Sequence, residues 1–199
     1  NRWTIMPNLR CAMGAGIWRG AAAVQLPLHI PGGSQVSARC QASVGSSVVY
    51  VTVTGSTISM HGGPGYSRAH QCYTVATSRG EDIEPTTAHT KTAWTTLDAS
   101  AAEDSQAFLV AVGPGAQVTR TVDRTYLIDI GINSAGSEFA TLPNLMVAQS
   151  ATDDRPLPQY LGPYPVDIRE GARISARAQA SDVTAGERKI DVAAWGFIR

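Results

Sequence analysis

Polar and apolar residues alternate along residues 36–43, "VSARCQAS", and again along residues 174–181, "ISARAQAS". A period of two sends successive side chains to opposite faces of a β-strand, so that one face can be buried. Neighbouring β-branched residues and flanking glycines and prolines favour a strand over an alanine-rich helix. Both segments are therefore predicted to be half-buried strands with matching inward faces.

The similarity between these two strands continues on both sides of them. At an offset of 138, residues 27–43 align with residues 165–181, and nine of the 17 positions are identical. Two further pairs of segments match in the same order: "MPNL" at 6–9 with "LPNL" at 142–145, and "VVYVTVTG" at 48–55 with "RKIDVAAWG" at 188–196. Self-similarity at a fixed spacing is typical of duplicated architecture, so the chain is predicted to contain an internal repeat.

The second copy is preceded by more strand-like sequence than the first. Alternating or apolar runs occupy residues 91–100, 106–115 and 117–132, separated by turn residues. About eight strands between 90 and 199 approach the number in a jelly roll. We therefore predict an all-β, antiparallel jelly-roll-like sandwich: a partial repeat at 1–58, a connector with a possible strand at 59–90, and a complete repeat at 91–199.

The alternation also assigns individual residues to a face. Inward positions in the two copies form the predicted core: Val36, Ala38, Val49, Val51, Val53, Ile168, Ile174, Ala176, Ile190 and Val192. Four polar residues occupy matching outward positions: Arg39 and Gln41 in the first copy, Arg177 and Gln179 in the second. Each arginine is expected either to pair with a carboxylate across the sheet or to contact a neighbouring subunit, and cross-strand pairing is the more ordinary role.

The incomplete first copy is expected to need a partner. About four strands cannot close a sandwich, and their edges would leave backbone N–H and C=O groups unpaired. An apolar patch would remain only partly covered, formed by Leu26, Ile30, Val49, Val51 and Val53. We expect the first copy to be completed by something outside 1–58, with association of several copies as the natural route.

Composition narrows the possible partners. Charged residues make up 16% of the chain and the formal net charge is zero, which argues against nucleic-acid binding. No apolar stretch reaches the roughly 18 residues of a membrane helix. The three cysteines, Cys11, Cys40 and Cys72, are an odd number without C-x-x-C spacing. Neither a disulfide framework nor a zinc site is predicted.

Three short segments contain residue types that could support chemistry. "HGGPG" at 61–65 matches the oxyanion loop of some α/β-hydrolases, but the nearest elbow-like string, "GYSRA", ends in alanine and lies too close to it, and no βαβ pattern surrounds the last histidine, His89. The pair His70 and Cys72 fits no zinc spacing, and the acidic cluster "GEDIE" at 80–84 lacks the calcium-loop pattern. Loops and turns are the better interpretation of all three. No catalytic residue, metal or cofactor is predicted.

A family resemblance emerges from the second copy. "YLIDIGINSAGSE", "LPNLMV", "YPVDIREGARISARAQAS" and the closing "DVAAWGF" resemble a repeat found in virion structural proteins of tailed phages. The resemblance covers 92–199 well and 1–58 in part, since the first copy lacks the "DIGI" half. It implies a non-enzymatic virion component, assembled in the host cytoplasm, with other virion proteins and further copies of itself as partners.

The resemblance leaves the place in the particle open. A capsid-exterior decoration or cement protein is the first expectation, in contact with the major capsid protein. A tail fibre or receptor-binding module is the alternative, in which exposed aromatic residues such as Trp18, Tyr160 and Tyr164 would contact glycans. A glycan hydrolase on a β scaffold would require two carboxylates at catalytic separation, and the sequence indicates no such pair.

Overall fold

The computed structural model describes residues 4–7, 9, 24–39, 51–53, 65–73, 80–113, 121–133, 137–151 and 158–199. In this part of the chain all regular structure is β and there is no helix. The strands are β1 (Arg68–Gln71), β2 (Glu81–Ile83), β3 (Thr95–Asp98), β4 (Ala107–Gly113), β5 (Arg124–Asn133), β6 (Phe139–Gln149), β7 (Gln159–Tyr164), β8 (Arg173–Ala180) and β9 (Ile190–Ile198).

The strands form two antiparallel sheets. One sheet has the order β1-β9-β4-β7, and β2 also pairs with β9; the other has the order β3-β8-β5-β6. From β2 onward, each connection passes from one sheet to the other except that between β5 and β6. Buried residues of both sheets belong to one hydrophobic cluster. The all-β, two-sheet prediction is therefore confirmed at this level.

The connector predicted at 59–90 contributes two strands to the sandwich. β1 pairs with residues 195–198 of β9, and β2 pairs with residues 190–192 of the same strand. The strand expected at "CYTVATS" is not seen at Cys72 and Tyr73, which follow β1, and residues 74–79 lie outside the described residues. From residue 91 onward, the described chain has the seven strands β3–β9 rather than about eight.

β8 shows why its sequence alternates. Ile174, Ala176, Ala178 and Ala180 are at most 1% exposed and face the core. The strand lies between β3 and β5, so both of its edges are paired within the chain. Its outward residues Arg177 and Gln179 are half-buried. The amphipathic prediction for this strand is thus correct in register as well as in type.

β9 is buried on both faces, whereas a half-buried strand would leave one face exposed. The indole N–H of Trp195 donates to the carbonyl of Pro7 at 2.8 Å. The ring of Tyr66 lies 5.6 Å from that of Phe197, centroid to centroid. Residues that precede β1 therefore cover one face of this strand, and part of the first copy is docked on the sandwich.

The two segments predicted to be copies of one repeat, called here the first and second copy, make the same turn at matching positions. The Ser34 N–H donates to the Pro31 carbonyl at 3.2 Å, and at the same offset of 138 the Ala172 N–H donates to the Arg169 carbonyl at 3.0 Å. Gly33 and Gly171, at the third position of each turn, both have φ near +80°. That φ is characteristic of a type II turn and favours glycine.

After this turn the two copies differ. Residues 34–39 are all exposed and form no strand, whereas the matching 172–177 lead into and form most of β8. Upstream, the first copy makes one isolated parallel bridge, between Leu28 and Tyr66. The first copy thus begins like the second but lacks its strand partners among the described residues.

Candidate functional site

The outward arginine of β8 lies in a charged cluster at the centre of the four-stranded sheet. Arg177 is the register partner of Asp129 on β5, and its Nε lies 2.8 Å from Oδ2 of that carboxylate. The other oxygen accepts from Lys91 Nζ at 2.7 Å and from the Asn144 N–H at 2.8 Å. Of the two expected roles for Arg177, this arrangement is the cross-strand pair with a carboxylate.

The Asp129 carboxylate is held in its charged form. Burial, the largest single influence, raises its pKa, but the hydrogen bonds from Lys91, the Asn144 N–H and Arg177 together outweigh burial, so the pKa lies below its ordinary value. The side chain is 4% exposed. A buried carboxylate is stable only when it is paired and hydrogen-bonded, so these three donors allow Asp129 to be buried in its charged form.

An aromatic ring completes the cluster. The Arg177 guanidinium carbon lies 4.4 Å from the centroid of the Trp94 ring, a cation–π contact. The same ring lies against Gly131, where an added Cβ would be 2.8 Å from two of its carbon atoms. The segment "DIGI" on β5 therefore has a physical explanation: Asp129 binds the arginine, and Gly131 leaves room for the tryptophan.

The "LPNL" segment supplies the last donor. The pairing of β5 with β6 is irregular between Ile128 and Ile130, which face Leu145 and Leu142. Two residues of β6 thus stand opposite Asp129 alone. Asn144 has φ near +54°, a conformation that asparagine tolerates better than most residues. This local shape directs its N–H at the carboxylate.

The matching arginine of the first copy has no such environment. Arg39 is exposed and forms no ion pair with any residue in the described ranges. Gln179, opposite Leu127 on β5, is half-buried, while its match Gln41 lies outside the described residues. Of the predicted site residues that the structure describes, Arg177 thus lies in the charged cluster, whereas Gln179 is on the same strand and Arg39 has no ion-pair partner there.

The predicted core residues also divide by copy. Those of the second copy are at most 1% exposed: Ile168, Ile174, Ala176, Ile190 and Val192. Those described in the first copy are exposed, with Val36 at 43%, Val51 at 56% and Val53 at 60%, and Ala38 in the same class. Their assignment to a core is wrong, because they are exposed and no strand among the described residues covers them; Val49 lies outside the described residues.

The histidine and cysteine near β1 are buried rather than part of a polar loop. Cys72 Sγ lies 3.2 Å from His70 Nε2. Burial raises the pKa of the thiol to about 12, and burial is also the main reason that the pKa of His70 is lowered. Both groups are therefore neutral near pH 7, whereas a nucleophilic or metal-bound cysteine requires the thiolate.

The remaining candidate strings are explained by local pairing or lie outside the description. Glu84 of the acidic cluster forms ion pairs with Arg188 and Lys189, at 2.8 and 3.5 Å. Of "HGGPG", only Gly65 is described. Within the described ranges, no three His, Cys, Asp or Glu residues are grouped so that they could hold a metal ion, and no helix has the length and apolarity to cross a membrane.

Of the aromatic residues proposed to contact glycans, those that the structure describes are at least half-buried. The Tyr160 ring lies 6.1 Å from that of Trp195, which places it against the core. Tyr164, on the same strand β7, is half-buried. Trp18 lies outside the described residues. No row of exposed aromatic rings is present on the described part of β7.

Sequence reasoning missed the residues that surround Arg177. Lys91 and Trp94, Asp129, and Asn144 come from three separate segments, and no spacing connects these segments. A signal was available in "DIGI", where an aspartate interrupts the apolar alternation of a strand. A second missed cluster is fully structural: Arg124, whose side chain is 0% exposed, pairs with Asp182 and Glu187.

Comparison with known proteins adds no relative. No family model, no curated protein sequence and no solved structure matches this chain. The candidate site therefore has to be interpreted from its own geometry.

Proposed function

We propose that the chain is a non-enzymatic structural subunit of a tailed-phage particle, acting through contacts with neighbouring proteins on the capsid exterior. The observation that carries the proposal is the difference between the copies. One copy has a paired, buried strand, and the other presents the same strand sequence exposed. A chain with a self-contained sandwich and an unfinished second unit is suited to joining other subunits.

The sheet topology supports a jelly-roll interpretation of the sandwich. The chain passes repeatedly between the order β2-β9-β4-β7, which is part of the five-stranded sheet, and the order β3-β8-β5-β6 of the four-stranded sheet, as in a jelly roll. The matching turns at Gly33 and Gly171 support a duplicated unit. Capsid and virion proteins commonly use this fold, although the same fold serves many functions.

The exposed apolar side chains support a role in assembly. They occur in the first copy, at Leu9, Ile30, Val36, Val51 and Val53, and on β6, at Phe139 and Met146. Exposed apolar side chains of this number are candidates for burial against another protein. The tail-fibre alternative has weaker support, because Tyr160 packs against Trp195 and so offers less free ring surface to a glycan.

Quantitative mass spectrometry of purified particles tests the proposal. Particles from lysates of the strain that carries this sequence should contain the chain at a fixed ratio to the major capsid protein. A ratio fixed to the tail proteins instead would favour the fibre alternative. Absence of the chain from washed particles, with abundant chain in the lysate, would contradict a virion role.

A further inference from the structure

The exposed segment 34–39 matches a strand that is fully paired elsewhere in the chain. Residues 36–39 read "VSAR", and 174–177 of β8 read "ISAR". β8 bonds to β3 on one side and to β5 on the other. The preceding turns have the same hydrogen bond and the same glycine φ. Residues 34–39 therefore leave their turn as β8 does, but they meet no strand among the described residues.

The residues of β5 show which side chains a strand needs in order to pair with β8. Arg177 binds the Asp129 carboxylate, and Gly131 two residues later makes room for the ring stacked on the guanidinium. Ile128, Ile130 and their neighbours on the inward face pack against the alanines of β8. An aspartate, a glycine two residues later and alternating apolar residues together define a complementary strand.

The first copy has the matching arginine and apolar residue, but no complementary strand lies beside them among the described residues. Arg39 is exposed and has no described carboxylate partner, and Val36 is 43% exposed on the face that corresponds to the core. A planar guanidinium at the centre of a strand favours a carboxylate on the adjacent strand, with which it forms charge-assisted hydrogen bonds.

A second copy of this chain is poorly suited to supply that strand. Its own β5 is paired on both sides, with β6 and β8. Among the described strands, the longest edge strands are β6 and β7, and neither contains an aspartate or glutamate. The acidic edge strands β2 and β3 have only three and four residues, too few to pair along 34–39. Among the described strands none offers the complement, so the occupant considered is a strand of a different protein.

We propose that residues 34–39 are a docking site for an extended strand of another virion protein, one that carries an Asp-x-Gly segment in an apolar alternation. The partner adds to the segment by backbone hydrogen bonds, as in β-strand addition, with its carboxylate on Arg39 and its apolar residues on Val36 and Ala38. The proposal rests on the proposed assembly function, and it names the chemistry of the contact.

Peptide binding to the intact chain tests this directly. The probe is a labelled peptide with the sequence of β5, residues 124–133, and its matched control carries Asp129→Asn. Fluorescence anisotropy should show saturable binding of the first peptide and about tenfold weaker binding of the second. Hydrogen exchange should show new protection at 35–39 and no change at 173–180, which places the peptide on the first copy.

Two chain variants complete the experiment. Arg39→Met should weaken peptide binding by about tenfold, while Arg169→Met, which removes an arginine that is 81% exposed, should leave it unchanged. Equal binding of both peptides, or protection gained at 173–180 instead, would overturn the proposal. Concentration-dependent self-association that Arg39→Met abolishes would identify a second copy as the occupant and would also overturn it.

These results are independent of the particle experiment. The peptide can bind while the chain is absent from virions, which would reject the virion role and retain the strand site. The chain can equally be abundant in particles while the peptide fails, which would reject the strand site alone.

Discussion

Residues 31–39 and 169–177 begin alike and end in different environments. Both open with a turn whose glycine has φ near +80°. The second turn is anchored by backbone hydrogen bonds between Ala101 and residues 171 and 172, and the chain continues into a strand paired on both edges. The first turn is followed by exposed chain. The similar sequences thus specify the same turn. Whether the following residues are buried depends on which neighbouring strands are available to pair with them.

The largest expected difference concerns the first inward residue of each strand. Ile174→Asp should prevent folding, because an unpaired carboxylate in place of a fully buried side chain costs several kcal/mol of a total stability of about 5–15 kcal/mol. The matching Val36→Asp should change the free energy of unfolding by less than about 0.5 kcal/mol. Chemical denaturation followed by tryptophan fluorescence measures both. Similar losses in the two variants would show that Val36 is buried in solution.

The next effect concerns the partner of the arginine. Asp129→Asn should lower the free energy of unfolding by about 1–3 kcal/mol, since it leaves Arg177 and Lys91 without their counter-charge although both retain some access to water. Arg39→Met in the first copy should have an effect below about 0.5 kcal/mol. Urea titrations of the two variants provide the comparison. An equal loss from Arg39→Met would mean that this arginine has a partner within the chain.

A smaller effect is expected at the two turns. Gly171→Ala should cost about 1 kcal/mol, because a residue with a Cβ is strained at positive φ. Gly33→Ala imposes the same local strain, but the segment that follows contributes little burial, so the expected change in global unfolding is less than about 0.5 kcal/mol. Thermal melts of the two variants distinguish these values. A larger loss at Gly33 would contradict the weak coupling of the first turn to the sandwich.

The smallest effect lies in the pH dependence of stability. The pKa of Asp129 is lowered in the folded chain, so its contribution is present above the ordinary value near 3.8 and is lost as the pH falls through the folded value. The parent should lose stability over this acidic range more steeply than Asp129→Asn. Arg39→Met should follow the parent curve. Parallel curves for the parent and Asp129→Asn would remove the ion-pair explanation.

The sequence alone predicts the parts of the fold that depend on local pattern. The alternation of 174–181 gives the correct inward face, because one side of β8 meets the core. The same pattern misassigned Val36 and Ala38, because alternation records which face can be buried and not whether a partner covers it. β1 and β2 were missed as sandwich strands, since Arg68–Gln71 and Glu81–Ile83 are too short to establish a period.

The charged cluster around Arg177 was also predictable only in part, because local pattern indicates a face of a strand but not the residues that lie opposite it. Arg177 stood out because it was repeated at a matching outward position, and a cross-strand carboxylate was the expected partner. The identity of Asp129 required the register of β5 against β8. The Asn144 N–H required an irregular pairing with a positive φ. Neither feature follows from the spacing of residues along the chain.

Hydrogen exchange of the isolated 199-residue chain, with its association state checked by analytical ultracentrifugation, tests the central difference most directly. Amides of 34–39 should exchange nearly as fast as an unstructured peptide, while those of 174–180 should be protected by the free energy of global unfolding. A stable monomer in which 34–39 is as protected as 174–180 would show that the first copy is complete within the chain, and would contradict the account.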